Sequence, residues 1–215
     1  MVFKVTKILL FLFALFAFAS NVNAICKTVI PTQTSDDFLT NGKKEFAKGN
    51  YSVSIELFEK ALKLNPKAKE VNFLAGLAEY NLKDFKKAKK YFSKEVKINH
   101  TYVDAYIYRA KSNKGSYKKA LNDLQKAVIL SDKNPEVYLA RAELNYDYKK
   151  YDKAFDDYSL LVKLKPNLDD AYYKMGFCKY FLNDSISACE YWNKIDDLDD
   201  FEGVSQIAKI CNSIK

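Results

Sequence analysis

The sequence comprises 215 residues, of which 48% are hydrophobic and 29% charged, and its formal net charge is +8. This mixture is typical of a folded chain and excludes an intrinsically disordered one, which combines low hydrophobicity with high charge. Glycine and proline are scarce, at six and four residues, which favours helices over a turn-rich β architecture. The length suffices for one domain or one array of repeats.

The amino-terminal stretch has the pattern of a secretory signal peptide. Two lysines precede an unbroken apolar run at residues 8–19, and a small residue, Ala24, stands at the predicted cleavage site. An uncleaved anchor is the alternative, but a spanning helix needs about 20 apolar residues. A lipoprotein signal is disfavoured because Ile25, which is not small, precedes Cys26. We therefore expect residues 1–24 to be removed and the protein to be exported, to the periplasm or the cell exterior.

Residues 25–34 show no helical period and are predicted to form an extended lead-in. Ser35 then opens a pattern of about 34 residues that recurs five times. The clearest copy spans residues 135–168 and contains two amphipathic helix patterns joined by a polar turn. The third copy is about two residues shorter at its inter-helix turn. A small residue stands at the eighth position of every copy: Gly42, Gly76, Ala110, Ala142 and Gly176.

This spacing of small and aromatic residues resembles the tetratricopeptide repeat family, whose unit is a 34-residue helix-turn-helix. The resemblance implies an all-α, right-handed α-solenoid of about five units, at residues 35–68, 69–102, 103–134, 135–168 and 169–202. Residues 203–215 place their apolar side chains on one helical face. They are predicted to form the capping helix that such arrays need, because the last unit would otherwise expose an apolar side.

The sequence offers no pattern typical of catalysis. His100 is its only histidine, so a two-histidine metal site is excluded, and no nucleophile has an obvious base. The acidic run at residues 196–200 lacks the central glycine and final glutamate of a calcium loop and is interpreted as a solvated turn. We expect a protein that is not an enzyme and that binds neither a cofactor nor a metal.

The resemblance places partner binding on the concave face, mainly at the second, fifth, ninth, twelfth and thirteenth positions of each unit's first helix. The fifth, ninth and twelfth positions give the predicted groove residues. Part of this apolar set is expected to pack helix on helix, and the rest forms a contiguous surface of the kind that marks partner sites. Leu39 and Lys43 stand where a carboxylate clamp would need Lys and Asn. An apolar or aromatic peptide or a partner helix therefore fits better than a C-terminal acid. The predicted groove residues are Leu39, Lys43, Phe46, Phe73, Leu77, Tyr80, Ile107, Lys111, Leu139, Glu143, Tyr146, Tyr173, Phe177 and Tyr180.

A lysine-rich helix at residues 83–97 supports an alternative function. Its lysines indicate either a solvated helix face or a surface that contacts anionic membranes during envelope assembly. Export argues against nucleic acid as the partner. The lysines are Lys83, Lys86, Lys87, Lys89, Lys90, Lys94 and Lys97.

Export would also place the four cysteines in an oxidising compartment. On the repeat pattern, Cys178 and Cys189 both face the element that follows the fifth unit, where Cys211 lies. We expect a disulfide that holds the capping helix, either Cys178–Cys211, which is slightly preferred, or Cys189–Cys211. Cys26 lies at the opposite end and is either free or the link of a covalent dimer.

Three Asn-x-Ser/Thr triplets begin at Asn50, Asn99 and Asn183. They would be glycosylation acceptors in a eukaryotic secretory route and turn residues in a bacterium. The short signal and the Lys/Asn-rich composition favour a bacterial host, but the sequence leaves both open.

Overall fold

The computed structural model describes residues 33–113, 115–195, 198 and 202–213. The predicted signal peptide, Cys26 and nearly all of the predicted lead-in lie outside the described residues, as does the acidic run apart from Leu198. Across the described ranges the secondary structure is helical, with no β-strand. The helices are α1 (Ser35–Ala47), α2 (Tyr51–Leu64), α3 (Val71–Asn81), α4 (Phe85–Ile98), α5 (Val103–Lys111), α6 (Tyr117–Leu130), α7 (Pro135–Asp147), α8 (Tyr151–Leu164), α9 (Asp169–Phe181), α10 (Ser185–Trp192) and α11 (Val204–Asn212).

These helices form five hairpins in chain order, from α1–α2 to α9–α10, and α11 packs against α10 at the end. Each helix contacts mainly its neighbours along the chain, and the first helices of adjacent units also touch, α1 with α3 and α5 with α7. This one-dimensional pattern of contacts is typical of a solenoid. The predicted fold class, an all-α right-handed solenoid with a terminal cap, is confirmed.

The turn inside each full-length unit uses one residue in the left-handed region. Gly49, Lys83, Lys149 and Asn183 occupy the fifteenth position of their units, with φ of 81°, 63°, 56° and 63°. The next backbone amide then bonds the carbonyl five residues back, as from Asp84 N to Glu79 O at 2.9 Å. This closure satisfies carbonyls that the end of the helix leaves open. The third unit is about two residues shorter at this turn, and none of its described residues has a positive φ.

The small residue at position eight allows the two helices of a unit to pack closely. A Cβ atom on Gly42 would lie 2.5 Å from the Phe58 ring, and one on Gly76 would lie 2.6 Å from the Phe92 ring. Both rings are fully buried, so they have little room to move away. In the fifth unit, Gly176 lies against Trp192 in the same way. The repeated spacing in the sequence is therefore set by a contact within each unit.

The substitution Gly76→Ala is expected to lower the free energy of unfolding by about 1–3 kcal/mol, because overpacking a dense core costs that much. The gain in helix propensity, about 1 kcal/mol, works in the opposite direction. Urea denaturation measures the difference. Gly115→Ala is the matched control, since no heavy atom lies within 4 Å of the place that its Cβ would occupy, and it should change stability by less than about 0.5 kcal/mol. Equal midpoints for the two variants would contradict the tight contact.

The disulfide joins Cys189 to Cys211, with their Cα atoms 5.6 Å apart. Of the two predicted pairings, the slightly preferred one, Cys178–Cys211, is wrong. The Cys178 side chain is fully buried in the cluster between the fourth and fifth units, together with Tyr158 and Met175. Burial raises the pKa of the Cys178 thiol to about 12, so this thiol is unreactive. Cys189 and Cys211 lie instead in the terminal cluster that α11 covers.

Candidate functional site

The first helices, α1, α3, α5, α7 and α9, carry all fourteen residues predicted to contact a partner. We call the surface that they form the groove face. Lys43 and Glu143 are exposed on it. Ten others are half-buried, so that each presents part of its side chain: Leu39, Phe46, Leu77, Tyr80, Lys111, Leu139, Tyr146, Tyr173, Phe177 and Tyr180.

Phe73 and Ile107 do not belong to this accessible surface, which corrects the prediction for these two. Their exposed fractions are 7% and 3%, and both belong to the core cluster of the second and third units. The Phe73 ring lies 4.8 Å from that of Tyr102 and 5.8 Å from that of Tyr108. Phe73 is therefore covered by Tyr102 at the end of its own unit and by Tyr108 of the following unit, and it acts in packing between units.

A cavity of about 460 Å³ lies at the middle of the groove face. Its floor is small and apolar, with Ala110 and Ala140 both buried. The helix α5 has nine residues and α7 has thirteen, so the shortened third unit leaves space between its neighbours. Three predicted groove residues meet here. The lining residues are Tyr80, Ala110, Lys111, Asn113, Leu124, Ala140, Glu143, Leu144, Asp147 and Tyr148.

The polar groups of this cavity are held by neighbouring side chains. Lys111 Nζ lies 3.7 Å from Glu143 Oε2 across α5 and α7. The Tyr80 ring packs edge-on against Phe85 at 5.2 Å and Tyr108 at 5.6 Å. Burial raises the pKa of the Tyr80 hydroxyl, so it stays protonated at neutral pH and can donate a hydrogen bond. The cavity thus combines an apolar floor with both charges and a phenol at its rim.

A second aromatic group lies further along the groove face, on α7 and α9. The Tyr173 and Phe177 rings are 4.9 Å apart, and Phe181 lies 5.7 Å from Tyr180 and 6.5 Å from Tyr146. The prediction omitted Phe181, which is 45% exposed. It occupies the thirteenth position of the fifth unit, next to the predicted twelfth. The resemblance assigns the thirteenth position to the concave face, so the sequence signal for Phe181 was its position in the repeat.

Two buried ion pairs also escaped prediction. Asp157 accepts hydrogen bonds from Arg141 Nη2 at 2.6 Å and Nε at 3.0 Å, and from Asn145 Nδ2 at 3.0 Å. Asp123 is bonded to Arg109 in the same manner, at 2.6 and 2.9 Å. Asp157 is only 3% exposed. Each arginine lies on the first helix of its unit and bonds a carboxylate on the second helix, so the two ion pairs hold the helices of a unit together.

The described residues do not assemble a recognisable reaction centre. Within them, no group of three or more His, Cys, Asp or Glu side chains is placed to hold a metal ion. The exposed His100 has its Nδ1 2.9 Å from the Val96 carbonyl oxygen. No helix in the described ranges is long and apolar enough to cross a membrane. The arrangement offers an extended contact surface.

Residues 39–100 match the profile of the tetratricopeptide repeat family. This segment covers α2, α3, α4 and most of α1, and the same hairpin recurs through α10. Residues 39–100 are therefore tetratricopeptide repeats, and the remaining hairpins have the same fold.

Solved tetratricopeptide repeat structures share this fold. The chain is similar to MamA from Desulfovibrio magneticus RS-1, with a TM-score of 0.72 and 17% identity over 81% of this chain and 99% of that one. It is also similar to YrrB, described as a tetratricopeptide repeat protein with an unusual peptide-binding site. That likeness has a TM-score of 0.67 and 20% identity, over 80% of this chain and 90% of YrrB. At these identities the likeness establishes the fold.

Curated relatives are much longer than this chain. It is 24% identical over 162 residues to the human protein O-mannosyl-transferase TMTC1, which covers 71% of this chain and 18% of the relative. It is 28% identical over 133 residues to serine/threonine-protein phosphatase 5 of Rattus norvegicus, and the match covers 59% of this chain and 27% of the phosphatase. The chain thus spans about a fifth to a quarter of each relative.

Proposed function

We propose that this protein is a non-catalytic scaffold that acts outside the cytoplasm and binds a partner protein or peptide on its groove face. The observation that carries the proposal is the row of half-buried aromatic side chains on successive first helices, interrupted by the central cavity. Monomeric proteins rarely leave contiguous apolar surface uncovered without a use for it. Tyrosine, tryptophan and arginine are also the residues that most often contribute a large part of the binding energy at interfaces.

The chemistry of the groove face favours an extended peptide or a helix with apolar and aromatic side chains. Tyr80 and Tyr146 present rings whose flanks are already packed, so little side-chain entropy is lost when a ligand binds. The Lys43 ammonium lies 3.5 Å from Glu70 Oε2, which partly neutralises it. A ligand that depends on a free C-terminal carboxylate therefore gains little at this end of the groove.

The variant Tyr80→Ala/Phe181→Ala is expected to lose most partner binding in affinity capture from the native compartment, because each truncated anchor costs more than about 1 kcal/mol. Ile129→Ala is the matched control. Ile129 is 77% exposed on α6, away from the groove face, and capture by this variant should equal that of the wild type. Thermal melting checks that all three proteins fold. Equal yields of the same partner with the double variant and the control would contradict the proposed site.

The extracellular or periplasmic location is supported by the signal-peptide pattern of residues 1–24 and by the Cys189–Cys211 bond. Disulfides persist mainly in oxidising compartments. A covalent dimer through Cys26 is compatible with export and belongs to the same proposal. Non-reducing electrophoresis distinguishes that dimer from a free thiol.

Contact with an anionic surface through α4 is a second candidate function. The specific observation in its favour is the charge of this helix. Its only acid, Glu95, is fully buried, whereas Lys86, Lys90, Lys94 and Lys97 are exposed. Binding through these lysines should be lost in about 0.5 M NaCl, since salt screens exposed charges, whereas binding in the apolar groove should persist.

A further inference from the structure

The second helices of the second and third units, α4 and α6, leave an open depression between them. Its volume is about 770 Å³, and nine of its ten lining residues have polar side chains, whose carbon atoms contribute more of the accessible surface than their polar atoms. We call it the basic pocket. It is formed by residues of α4, α6 and the end of α5 with the turn after it, and it shares only Asn113 with the cavity on the groove face. The lining residues are Lys89, Ser93, Arg109, Asn113, Lys118, Lys119, Leu121, Asn122, Asp123 and Gln125.

Three lysines give this pocket its charge. The Arg109 guanidinium and the Asp123 carboxylate, its only other charged groups, neutralise one another through a bond of 2.6 Å. In the described part of the chain, no carboxylate oxygen lies within 4.0 Å of the ammonium of Lys89, Lys118 or Lys119. The net charge of the lining is therefore +3.

Neutral donors lie between these lysines. Ser93 supplies a hydroxyl from α4, Asn122 and Gln125 supply amides from α6, and Asn113 supplies one from the turn before it. Such groups can bond the hydroxyls of a ligand as well as its anionic oxygens. Leu121 is the only lining residue with a purely hydrocarbon side chain. The pocket therefore offers neutral hydrogen-bonding groups beside its three lysines, as an anion that also carries hydroxyls requires.

The kind of charge indicates the kind of anion. Lysine ammonium groups bind phosphate as point charges, whereas planar recognition of a carboxylate favours an arginine fork. The only arginine of the pocket is already engaged by Asp123 on both Nε and Nη2. The surrounding lysines of α4 strengthen the positive potential at the pocket mouth. A phosphate group therefore fits the unengaged donors better than a carboxylate.

We propose that the basic pocket binds a phosphorylated polyol, with its phosphate among Lys89, Lys118 and Lys119 and its hydroxyls on the Ser, Asn and Gln side chains. This rests on the second candidate function, and it replaces a diffuse contact along α4 by a defined site between α4 and α6. The same chemistry occurs in a soluble phosphorylated polyol and in a glycerophosphate lipid headgroup. Both sources offer the pocket the same groups.

The test uses the whole mature chain and two probes with this headgroup chemistry. Calorimetry measures binding of soluble glycerol phosphate, and co-sedimentation measures binding to phosphatidylcholine vesicles with and without phosphatidylglycerol. The variant Lys118→Gln/Lys119→Gln removes two charges from the pocket. Lys63→Gln/Lys67→Gln removes two exposed charges at the end of α2 and in the turn after it, outside both α4 and the pocket lining, and is the matched control. We expect the pocket variant to bind about tenfold more weakly and the control to stay within about twofold of wild type.

The outcomes separate the sources and the alternatives. Loss confined to the pocket variant supports the site, and the probe on which it occurs identifies a soluble ligand or a headgroup. Equal weakening in both variants overturns the pocket in favour of diffuse attraction. Failure of the wild type to bind either probe also overturns it, as does tighter binding of a single-stranded oligonucleotide. Partner capture on the groove face should be unchanged in the pocket variant, so failure of the scaffold proposal is recognised separately.

Discussion

The substitution Asp157→Ala is expected to lower the free energy of unfolding by about 3–5 kcal/mol, the cost of leaving one partner of a buried ion pair uncompensated. The carboxylate is 3% exposed and accepts bonds from Arg141 and Asn145. Asn145 in turn accepts from the Tyr117 hydroxyl of the preceding unit at 2.8 Å. Removing the carboxylate therefore disturbs a chain of polar groups that spans two units. Since a domain has only about 5–15 kcal/mol in total, a large fraction of its stability is at stake.

Urea denaturation followed by circular dichroism measures this loss, and the adjacent residue provides its control. Asp156 is exposed on the same helix, and Asp156→Ala should change stability by less than about 0.5 kcal/mol. The double variant Arg141→Met/Asp157→Leu should recover much of the loss, because an apolar pair leaves no buried charge. Similar midpoints for Asp157→Ala and Asp156→Ala would show that the ion pair contributes little.

The solenoid could be predicted because its defining contacts are local. Gly42 meets Phe58 and Gly76 meets Phe92 within one hairpin, so both partners recur at a fixed spacing that the sequence displays. The left-handed turn residues recur likewise, although Lys83 and Lys149 stand where glycine or asparagine would be the usual signal. Both lysines are exposed, and the backbone hydrogen bonds that close each turn hold them in a conformation that their side chains disfavour.

The burial of individual groove residues depends on contacts between units and could not be predicted in the same way. Phe73 and Tyr80 lie seven residues apart on one helix, and the rings of both contact Tyr108 of the next unit. Only Phe73 is buried by its packing, whereas Tyr80 stays partly exposed. The rotation of one unit on the next decides this, and it is not visible in the position of a residue within its repeat. The ion pair of Arg141 with Asp157 raises the same difficulty. Several acids follow Arg141, and only the packed hairpin shows which of them faces it.

The central cavity and the basic pocket both involve the shortened third unit. The missing residues were visible in the sequence, but their consequence is three-dimensional. Because α5 ends at Lys111, its terminal turn leaves space on the groove face, and Asn113 contributes to the lining of both depressions. The shortened third unit thus contributes to both depressions of an otherwise regular array. The proposed partner peptide is assigned to the groove face that holds the central cavity, and the phosphorylated polyol is assigned to the basic pocket.

Loss of the Cys189–Cys211 bond, through Cys211→Ser or a reductant, is expected to lower stability by about 3 kcal/mol in the chain-entropy model, because the bond closes a loop of 22 residues. The helix α11 has nine residues, too few to be stable without tertiary contacts. Its Ile207 covers the terminal cluster that contains Trp192. The tether therefore matters most for keeping α11 docked.

Trp192 makes this loss directly measurable, because it is the only tryptophan of the chain and is 1% exposed. Its indole Nε1 donates to the Tyr173 carbonyl oxygen at 3.2 Å. Undocking of α11 should admit water to this ring and shift its fluorescence to longer wavelength, at a temperature below that of global unfolding. Reductant should produce this shift in wild type and in Cys178→Ala, which keeps the bonded pair, but should have no further effect on Cys211→Ser. Unchanged emission in reduced wild-type protein would mean that apolar packing alone holds the cap. Free thiols at Cys178, Cys189 and Cys211 in the oxidised mature chain would mean that the bond does not form. Either result would leave the carboxyl-terminal end of the solenoid dependent on the same packing as its internal units.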